Sequence, residues 1–246
     1  MRGGIRKISL IFLICSMLLI GTVKIQVKST NEEVKILCFI ENGFGESYYI
    51  NKDFLESYNY SIITASTSGY VYGCNNFGKD VPDTYPDILV SSISDNDILT
   101  YDCIFIPSGG HWGTVITRSR ILEIIQIAHE EGILLAGICT GMIVLAYADV
   151  LEDVNVAKND HALSYLLNAG ANITNDDVVY DQGIITGGWG GGVGNGAENA
   201  PNEDFCEMIK EAIENPSEKT SINFSVISLA AIACFTVFTF IHKRRR

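Results

Sequence analysis

Cys139 stands where a buried strand is expected to run directly into a helix. The stretch Ala136-Gly-Ile-Cys-Thr-Gly-Met-Ile-Val-Leu-Ala146 places Gly137 and Gly141 two residues to either side of it. Glycines at these positions permit a tight turn and close packing of neighbouring elements, which is the nucleophile-elbow pattern with Cys in place of Ser. The N-terminus of a helix favours the thiolate form of a cysteine that lies there. The amide of Thr140 would point at a developing oxyanion.

A second segment, Ile106-Pro-Ser-Gly-Gly-His111, follows another short apolar run. Open α/β sheets build their sites at the carboxyl ends of strands, so we expect this segment beside the cysteine. Gly109 and Gly110 would offer unshielded backbone N–H groups as the other half of an oxyanion hole. The two segments together predict a thiol nucleophile that attacks a carbonyl carbon.

The elements that must position these residues alternate between strands and helices. Short apolar runs indicate strands, helical spacing of apolar residues indicates helices, and their alternation predicts an α/β domain with a mainly parallel sheet. Strands are predicted at 34–40, 61–65, 103–106 and 133–138, a hairpin at 178–186, and helices at 46–59, 119–131, 142–148 and 204–214. A single α/β domain is expected over residues 34–214.

The two glycine-containing motifs, in this order and about thirty residues apart, resemble the ThiJ/PfpI (DJ-one-like) family. That family belongs to the class I glutamine amidotransferase-like superfamily. The resemblance extends over residues 34–214 and implies a flavodoxin-like three-layer sandwich with Cys139 as nucleophile. It implies a thiol-dependent hydrolase acting on amides and peptides or on glyoxal-type and glycated carbonyl groups. The sequence departs from peptidase-like members, which have His directly after the cysteine, where this chain has Thr140.

The resemblance also implies partners for the nucleophile. Family members place an acidic residue just after the first strand, and Glu46 fits that place, with Glu41 as the alternative. Some members place a His about twenty residues beyond the cysteine. His161, 22 residues beyond, is the residue that we assign there, with His111 in reserve. A Cys–His pair oriented by a carboxylate is a usual way to activate a thiol.

Seven of the ten residues 187–196 are glycines, where many family members have a short Arg-Gly-Pro-Gly-like turn. This segment is either a lid carrying Trp189 or a solvated turn. It has no Lys and no Ser or Thr where a phosphate-binding loop needs them. The resemblance also makes a homodimer possible.

Both ends of the chain carry membrane-targeting patterns. Ile8–Val23 is uncharged and follows Arg2, Arg6 and Lys7, so residues 1–28 are expected to be a signal peptide or a signal-anchor. Residues 222–241 are also uncharged and at about 1.5 Å per residue would span roughly 30 Å, one hydrocarbon thickness. We therefore expect hydrophobic helices at both ends.

The basic tail 242–246 follows the C-terminal apolar segment directly, and residues 215–221 form a short tether before it. The positive-inside rule places this tail in the cytoplasm and the main domain outside it. The stretch 29–242 holds eight of the 17 basic residues and all 29 acidic ones. A domain this acidic argues against nucleic acid, whose phosphates require a basic surface.

Five of the seven cysteines lie in the main domain, and none is in a C-x-x-C spacing, so no metal site is signalled. Cys38 and Cys103 are expected to be packing residues within strands, whereas Cys74 and Cys206 could pair. We expect no cofactor and a small-molecule or peptide substrate. A non-enzymatic redox-sensing or binding module that uses Cys139 through a sulfenic acid is the alternative function.

Overall fold

The computed structural model describes residues 33–76, 79–188 and 200–215. These residues form an α/β fold around a mostly parallel sheet of seven strands in the order β10-β11-β7-β6-β1-β2-β5. Only the hairpin strands β10 and β11 pair antiparallel within it. The strands of the described residues are β1 (Lys35–Phe39), β2 (Ser61–Ser66), β3 (Asn75–Asn76), β4 (Lys79–Asp80), β5 (Ile88–Leu89), β6 (Cys103–Ile106), β7 (Leu134–Ile138), β8 (Asn155–Val156), β9 (Asn172–Ile173), β10 (Val178–Asp181) and β11 (Ile184–Gly187).

Helices cover both faces of the sheet. Along β1 the side chains alternate between two apolar cores, since Leu37 and Phe39 belong to one and Ile36 and Cys38 to the other. Helices α4, α5 and α6 pack over the first core, and α1 and α7 over the second. The helices of the described residues are α1 (Ser47–Ser57), α2 (Asp95–Ile98), α3 (Trp112–Val115), α4 (Ser119–Glu130), α5 (Gly141–Tyr147), α6 (Leu163–Asn168) and α7 (Asn202–Glu214), with a 3₁₀ turn at Val90–Ser92.

The long predicted elements are confirmed to within a few residues, because each is a continuous apolar run or an amphipathic helix. The short elements β3, β4, β5, β8, β9, α2, α3 and α6 were not predicted. Helix α2 shows why: around Asp95 and Asp97 the sequence has the acidic residues that are typical of a solvated turn. Instead, Ser94 and Asp97 form a capping box, and Asp95 is paired with Arg120.

The predicted signal segment, the C-terminal apolar segment with its basic tail, and Trp189 lie outside the described residues. Within the part of the chain that the structure describes, no helix combines the length and apolar character needed to cross a bilayer. The predicted boundaries of the tether and of the terminal segments therefore stay predictions.

The topology brings the two sequence motifs together. Strands β1, β6 and β7 are parallel neighbours in the centre of the sheet. Their carboxyl ends, at Phe39, Ile106 and Ile138, therefore lie along one edge. The loops that follow these three strands form the candidate site.

Candidate functional site

Cys139 forms the corner between β7 and α5 in a strained backbone conformation. Its φ is +53°, in the left-handed region that non-glycine residues seldom adopt. Its amide donates to the carbonyl of Gly187 on β11 at 2.7 Å, and the residue is only 3% exposed. The structure thus holds this thiol in the sharp turn that the sequence predicted.

The glycines that flank the cysteine leave no room for a side chain. A Cβ on Gly141 would overlap the carbonyl oxygen of Ile106. A Cβ on Gly137 would lie 2.8 Å from Leu145 and 3.2 Å from the Gly141 carbonyl carbon. These contacts let β7 and α5 pack closely against β6, which is the role that the elbow pattern assigns to glycine.

Three uncharged groups lie beside the Cys139 sulfur and favour its anion: the side chains of Ser108 and Asn159 and the backbone N–H of Thr140. Each lowers the pKa of the thiol, but burial has the larger effect and raises it above the usual value. The sequence-based expectation of a favoured thiolate took account of the helix end and omitted this desolvation. The thiol is therefore held protonated in the resting state and surrounded by groups suited to its anion.

Thr140 and Gly109 join the elbow to the loop after β6 by a reciprocal pair of hydrogen bonds. The Gly109 amide donates to the Thr140 hydroxyl at 2.9 Å, and this hydroxyl donates to the Gly109 carbonyl at 3.0 Å. The Thr140 amide interacts with the sulfur, whereas the Gly109 amide already has a partner, so the oxyanion hole predicted from these amides stays a prediction. Gly110 lies at the exposed end of the same loop.

Glu46 lies in a segment that is bound to the Ser108 loop on both sides. The amide of Gly45 donates to the Ser108 carbonyl at 2.8 Å, and the Ser108 amide donates to the Ser47 hydroxyl at 2.9 Å. Because Ser108 itself contacts the sulfur, Glu46 begins α1 close to the site. Glu41 is buried instead, and its carboxylate accepts from the amide of Thr67 at 2.8 Å.

His111 is fully buried, and both of its ring nitrogens are bound by backbone groups. Nδ1 accepts from the Glu41 amide at 3.3 Å, so Nε2 carries the proton and donates to the Pro107 carbonyl at 3.0 Å. Burial lowers the pKa of His111 to about 4, and it is therefore neutral at pH 7. This histidine joins the ends of β1 and β6 and does not hydrogen-bond Cys139.

His161 is exposed, and its backbone N–H donates to Oδ1 of Asn159 at 2.9 Å. The side chain that reaches the sulfur from this loop is that of Asn159, 20 residues beyond the cysteine. The spacing that led to His161 thus falls in the loop where Asn159, two positions earlier, interacts with Cys139.

Ser108, Ser47 and Asn159 are the site residues that the sequence analysis missed. Ser108 lies in the Pro-Ser-Gly-Gly segment, in which the sequence had indicated a role only for the two glycine amides. Among the described residues, no three His, Cys, Asp or Glu side chains are grouped in a way that could hold a metal ion. The five cysteines of the described residues are all free thiols, so Cys74 and Cys206 are not paired.

A model of the DJ-1/PfpI family matches residues 34–192 of the chain. Among solved structures, a ThiJ/PfpI domain protein from Brachyspira murdochii is 23% identical with a TM-score of 0.63, and the match covers 74% of this chain and 98% of that one. Drosophila melanogaster DJ-1beta is 21% identical with a TM-score of 0.62, covering 74% and 91% respectively. At these identities the likeness shows the fold alone.

A two-domain protein with DJ-1/ThiJ/PfpI-like and ferritin-like domains from Anabaena variabilis is 18% identical with a TM-score of 0.61. The match covers 77% of this chain and 49% of that protein, so the chain spans about half of its length. No curated protein matches the chain.

Proposed function

Because the chain belongs to the DJ-1/PfpI family, whose members include cysteine-dependent enzymes and redox sensors, we propose that it is an enzyme that adds the Cys139 sulfur to small aldehydes of the glyoxal type. The observation that carries this proposal is the strained corner thiol with three uncharged polar groups beside its sulfur that favour its anion. Such groups stabilise a developing negative charge without adding a charge of their own.

The proposed reaction begins when the Cys139 thiol loses its proton and the sulfur attacks the aldehyde carbon. A C–S bond forms, the π electrons of the carbonyl move to its oxygen, and the alkoxide takes up a proton to give a hemithioacetal. With a 2-oxoaldehyde, transfer of a proton from C1 to C2 then gives a thioester of a 2-hydroxy acid. Water cleaves this thioester, which releases the 2-hydroxy acid and restores the thiol.

Glu46 is the residue that we propose as the proton carrier for these steps. Its segment is bound to the Ser108 loop on both sides, and Ser108 contacts the reacting sulfur. A carboxylate at this place can accept the thiol proton and return it to the adduct. Glu41 is less suited, because its carboxylate is buried against the amide of Thr67.

Peptide cleavage receives less support from the same geometry. A departing amine needs a proton donor, which cysteine peptidases provide with an imidazole next to the thiol. Both ring nitrogens of His111 are bound to backbone groups, and the ring of His161 is on an exposed residue. An aldehyde has no leaving group and therefore does not require that donor.

The test incubates the purified full-length chain with glyoxal or methylglyoxal and follows aldehyde loss and 2-hydroxy acid formation by NMR. We expect turnover that Cys139→Ser lowers by at least about a thousandfold, because the nucleophile is lost. Cys74→Ser, which removes a partly exposed thiol, is the matched control and should keep the activity. Absence of turnover on both aldehydes would overturn the proposal.

Selective oxidation of Cys139 by hydrogen peroxide, combined with no turnover, would favour the redox-sensing function. The three groups that suit a thiolate also suit a sulfenate, so this outcome is compatible with the same site. Peptide cleavage that requires Cys139 would instead favour a peptide hydrolase.

We also infer that the protein is anchored in a membrane with its main domain outside the cytoplasm. The support is the uncharged stretch 222–241 followed by the basic residues 242–246, with a second uncharged stretch behind basic residues at the other end. Full-length protein expressed in cells should stay in the membrane fraction after alkaline carbonate extraction, and deletion of 222–246 tests the C-terminal segment. Release of the full-length protein by carbonate would contradict the anchor.

A further inference from the structure

Asn159 lies between β8 and α6 and is almost completely buried, with 1% of its surface exposed. Its side-chain oxygen accepts two backbone N–H groups, from His161 at 2.9 Å and from Ala162 at 3.1 Å. A carboxamide has one oxygen and one NH₂ group, and only the oxygen can accept these bonds. The two bonds therefore fix which way the amide is turned.

With the oxygen fixed in this way, the NH₂ group of Asn159 points away from the turn, and the Asn159 side chain lies beside the Cys139 sulfur. Nδ2 is buried and has no hydrogen-bond partner at bonding distance in the resting structure, the one such atom that is found among the described residues. A buried donor without a partner costs free energy, about 1–3 kcal/mol in typical cases, so such atoms call for an explanation. Its interaction with the Cys139 sulfur, which favours the anion, supplies one.

We propose that Asn159 is a catalytic residue whose Nδ2–H group donates to the Cys139 thiolate and so stabilises the attacking form of the nucleophile. This role rests on one part of the proposed function, namely that the Cys139 thiolate is the species that attacks the substrate. Because its oxygen is already bound, Asn159 donates to the sulfur and cannot take the thiol proton. Nδ2 of Asn159, which is unpaired in the resting state, gains the Cys139 thiolate as its acceptor when the proton leaves the sulfur.

The titratable groups around this donor are mostly turned elsewhere. Lys158 and Asp160 form an exposed ion pair at 3.4 Å, His161 is exposed, and His111 is neutral and bound by backbone groups. On the opposite side, Glu41 and Glu46 belong to the segment after β1. A change that is confined to Asn159 thus alters the sulfur without replacing any of these charges.

The test measures alkylation of Cys139 by iodoacetamide in the full-length chain from pH 7 to 11, with the rate read from its peptide by mass spectrometry. Asn159→Asp keeps oxygens for the two backbone N–H groups but replaces the donor with a carboxylate. We expect the alkylation midpoint to rise by at least about one pH unit, because a like charge disfavours the thiolate. At pH 8 this corresponds to a rate about tenfold lower.

Asn168→Asp is the matched control, because it makes the same chemical change at an exposed position at the end of α6. Its midpoint should stay within about 0.3 pH units of the wild type, since exposed charges are screened by solvent. A wild-type midpoint for Asn159→Asp would overturn the proposal. If Asn159→Asp does not fold, Asn159→Ser decides, because it keeps an acceptor oxygen and lacks the NH₂ group: a raised midpoint supports the proposal and an unchanged one overturns it.

Alkylation requires no aldehyde, so this test is independent of the aldehyde assay. A raised midpoint in a protein without aldehyde turnover would support the role of Asn159 and overturn the proposed substrate class. An unchanged midpoint in a protein that consumes glyoxal would overturn the role of Asn159 and support the proposed substrate class.

Discussion

Cys139 and Cys206 are both buried thiols with an asparagine next to the sulfur, but the two amides are turned in opposite directions. At Cys206, on α7, the thiol donates to Oδ1 of Asn51 at 3.1 Å, which favours the protonated form. At Cys139 the interaction with the Asn159 side chain lowers the pKa of the thiol and so favours the anion. Burial raises the pKa of both thiols. The direction of one amide thus distinguishes a packing residue from the nucleophile that we propose.

The surroundings of the two thiols differ in the same way. Nδ2 of Asn51 donates to the Ser47 carbonyl at 2.6 Å and to Oδ1 of Asn202 at 2.8 Å, so this amide group is bound at both ends. Nδ2 of Asn159 has no such partner. Cys206 lies in a regular helix, whereas Cys139 has a φ of +53°. The complete hydrogen bonding of the Asn51 amide indicates a structural role for the region around Cys206. The strained backbone of Cys139 beside the unpaired Nδ2 of Asn159 indicates a functional site.

His111 offers the strongest test of this distinction, because it is a buried titratable group with both nitrogens bound. Its pKa is about 4 in the folded chain and near 6.5 when unfolded, so the unfolded state binds the proton more tightly. Its contribution to stability is complete above about pH 6.5 and is lost as the pH falls toward 4. The expected loss is about 3 kcal/mol in the free energy of unfolding.

The measurement is urea unfolding of the full-length chain at several pH values between 4 and 7. His111→Gln can keep both backbone partners without titrating, so its stability should fall less steeply over this range than that of the wild type. His129→Gln, on the exposed face of α4, should follow the wild type. Parallel curves for wild type and His111→Gln would show that the buried imidazole is not held neutral.

Asn51→Ala should lower the free energy of unfolding by about 2 kcal/mol, because the Ser47 carbonyl, Asn202 and the Cys206 thiol each lose a buried partner. The alkylation midpoint of Cys139 should move by less than about 0.3 pH units. Chemical unfolding and peptide mass spectrometry on the same samples check both expectations. A large change in the Cys139 midpoint would mean that the two asparagines are coupled and would remove the contrast between them.

The smallest expected effect is the difference in stability between glycine and alanine variants at positions 139 and 206. At Cys139 the positive φ favours glycine, so Cys139→Gly should be more stable than Cys139→Ala by about 0.5–1 kcal/mol. At Cys206 the helix favours alanine, so Cys206→Gly should be less stable than Cys206→Ala by about 1 kcal/mol. Thermal unfolding of the four variants gives both differences, and the same sign at both positions would contradict the strained corner.

The parts of the site that the sequence could predict are local. The elbow requires glycines two residues to either side of Cys139, and the strands around it are apolar runs that need no distant partner to be recognised. The fold class followed from the same runs. These signals also predicted that the loops after β6 and β7 would meet.

The identity of the third group on the sulfur depends on distant contacts instead. The loop that carries Asn159 is held by the two-residue pairing of β8 with β9 and by the bond from the Ala157 amide to the Thr186 hydroxyl at 2.9 Å. Two-residue strands leave no periodic pattern. The choice between Asn159 and His161 is decided by a turn in which one residue binds the backbone of the other.

The hydrogen bond from the Cys139 amide to the Gly187 carbonyl has a consequence for how the protein is made. During synthesis the elbow cannot complete its backbone contacts until β11 has left the ribosome and paired with β7. At translation rates of about 5–20 residues per second, the interval between Cys139 and Gly187 lasts roughly 2 to 10 seconds. During that time Cys139 lacks the backbone partner that holds it in its turn, so the thiol is not yet in the environment of the folded site.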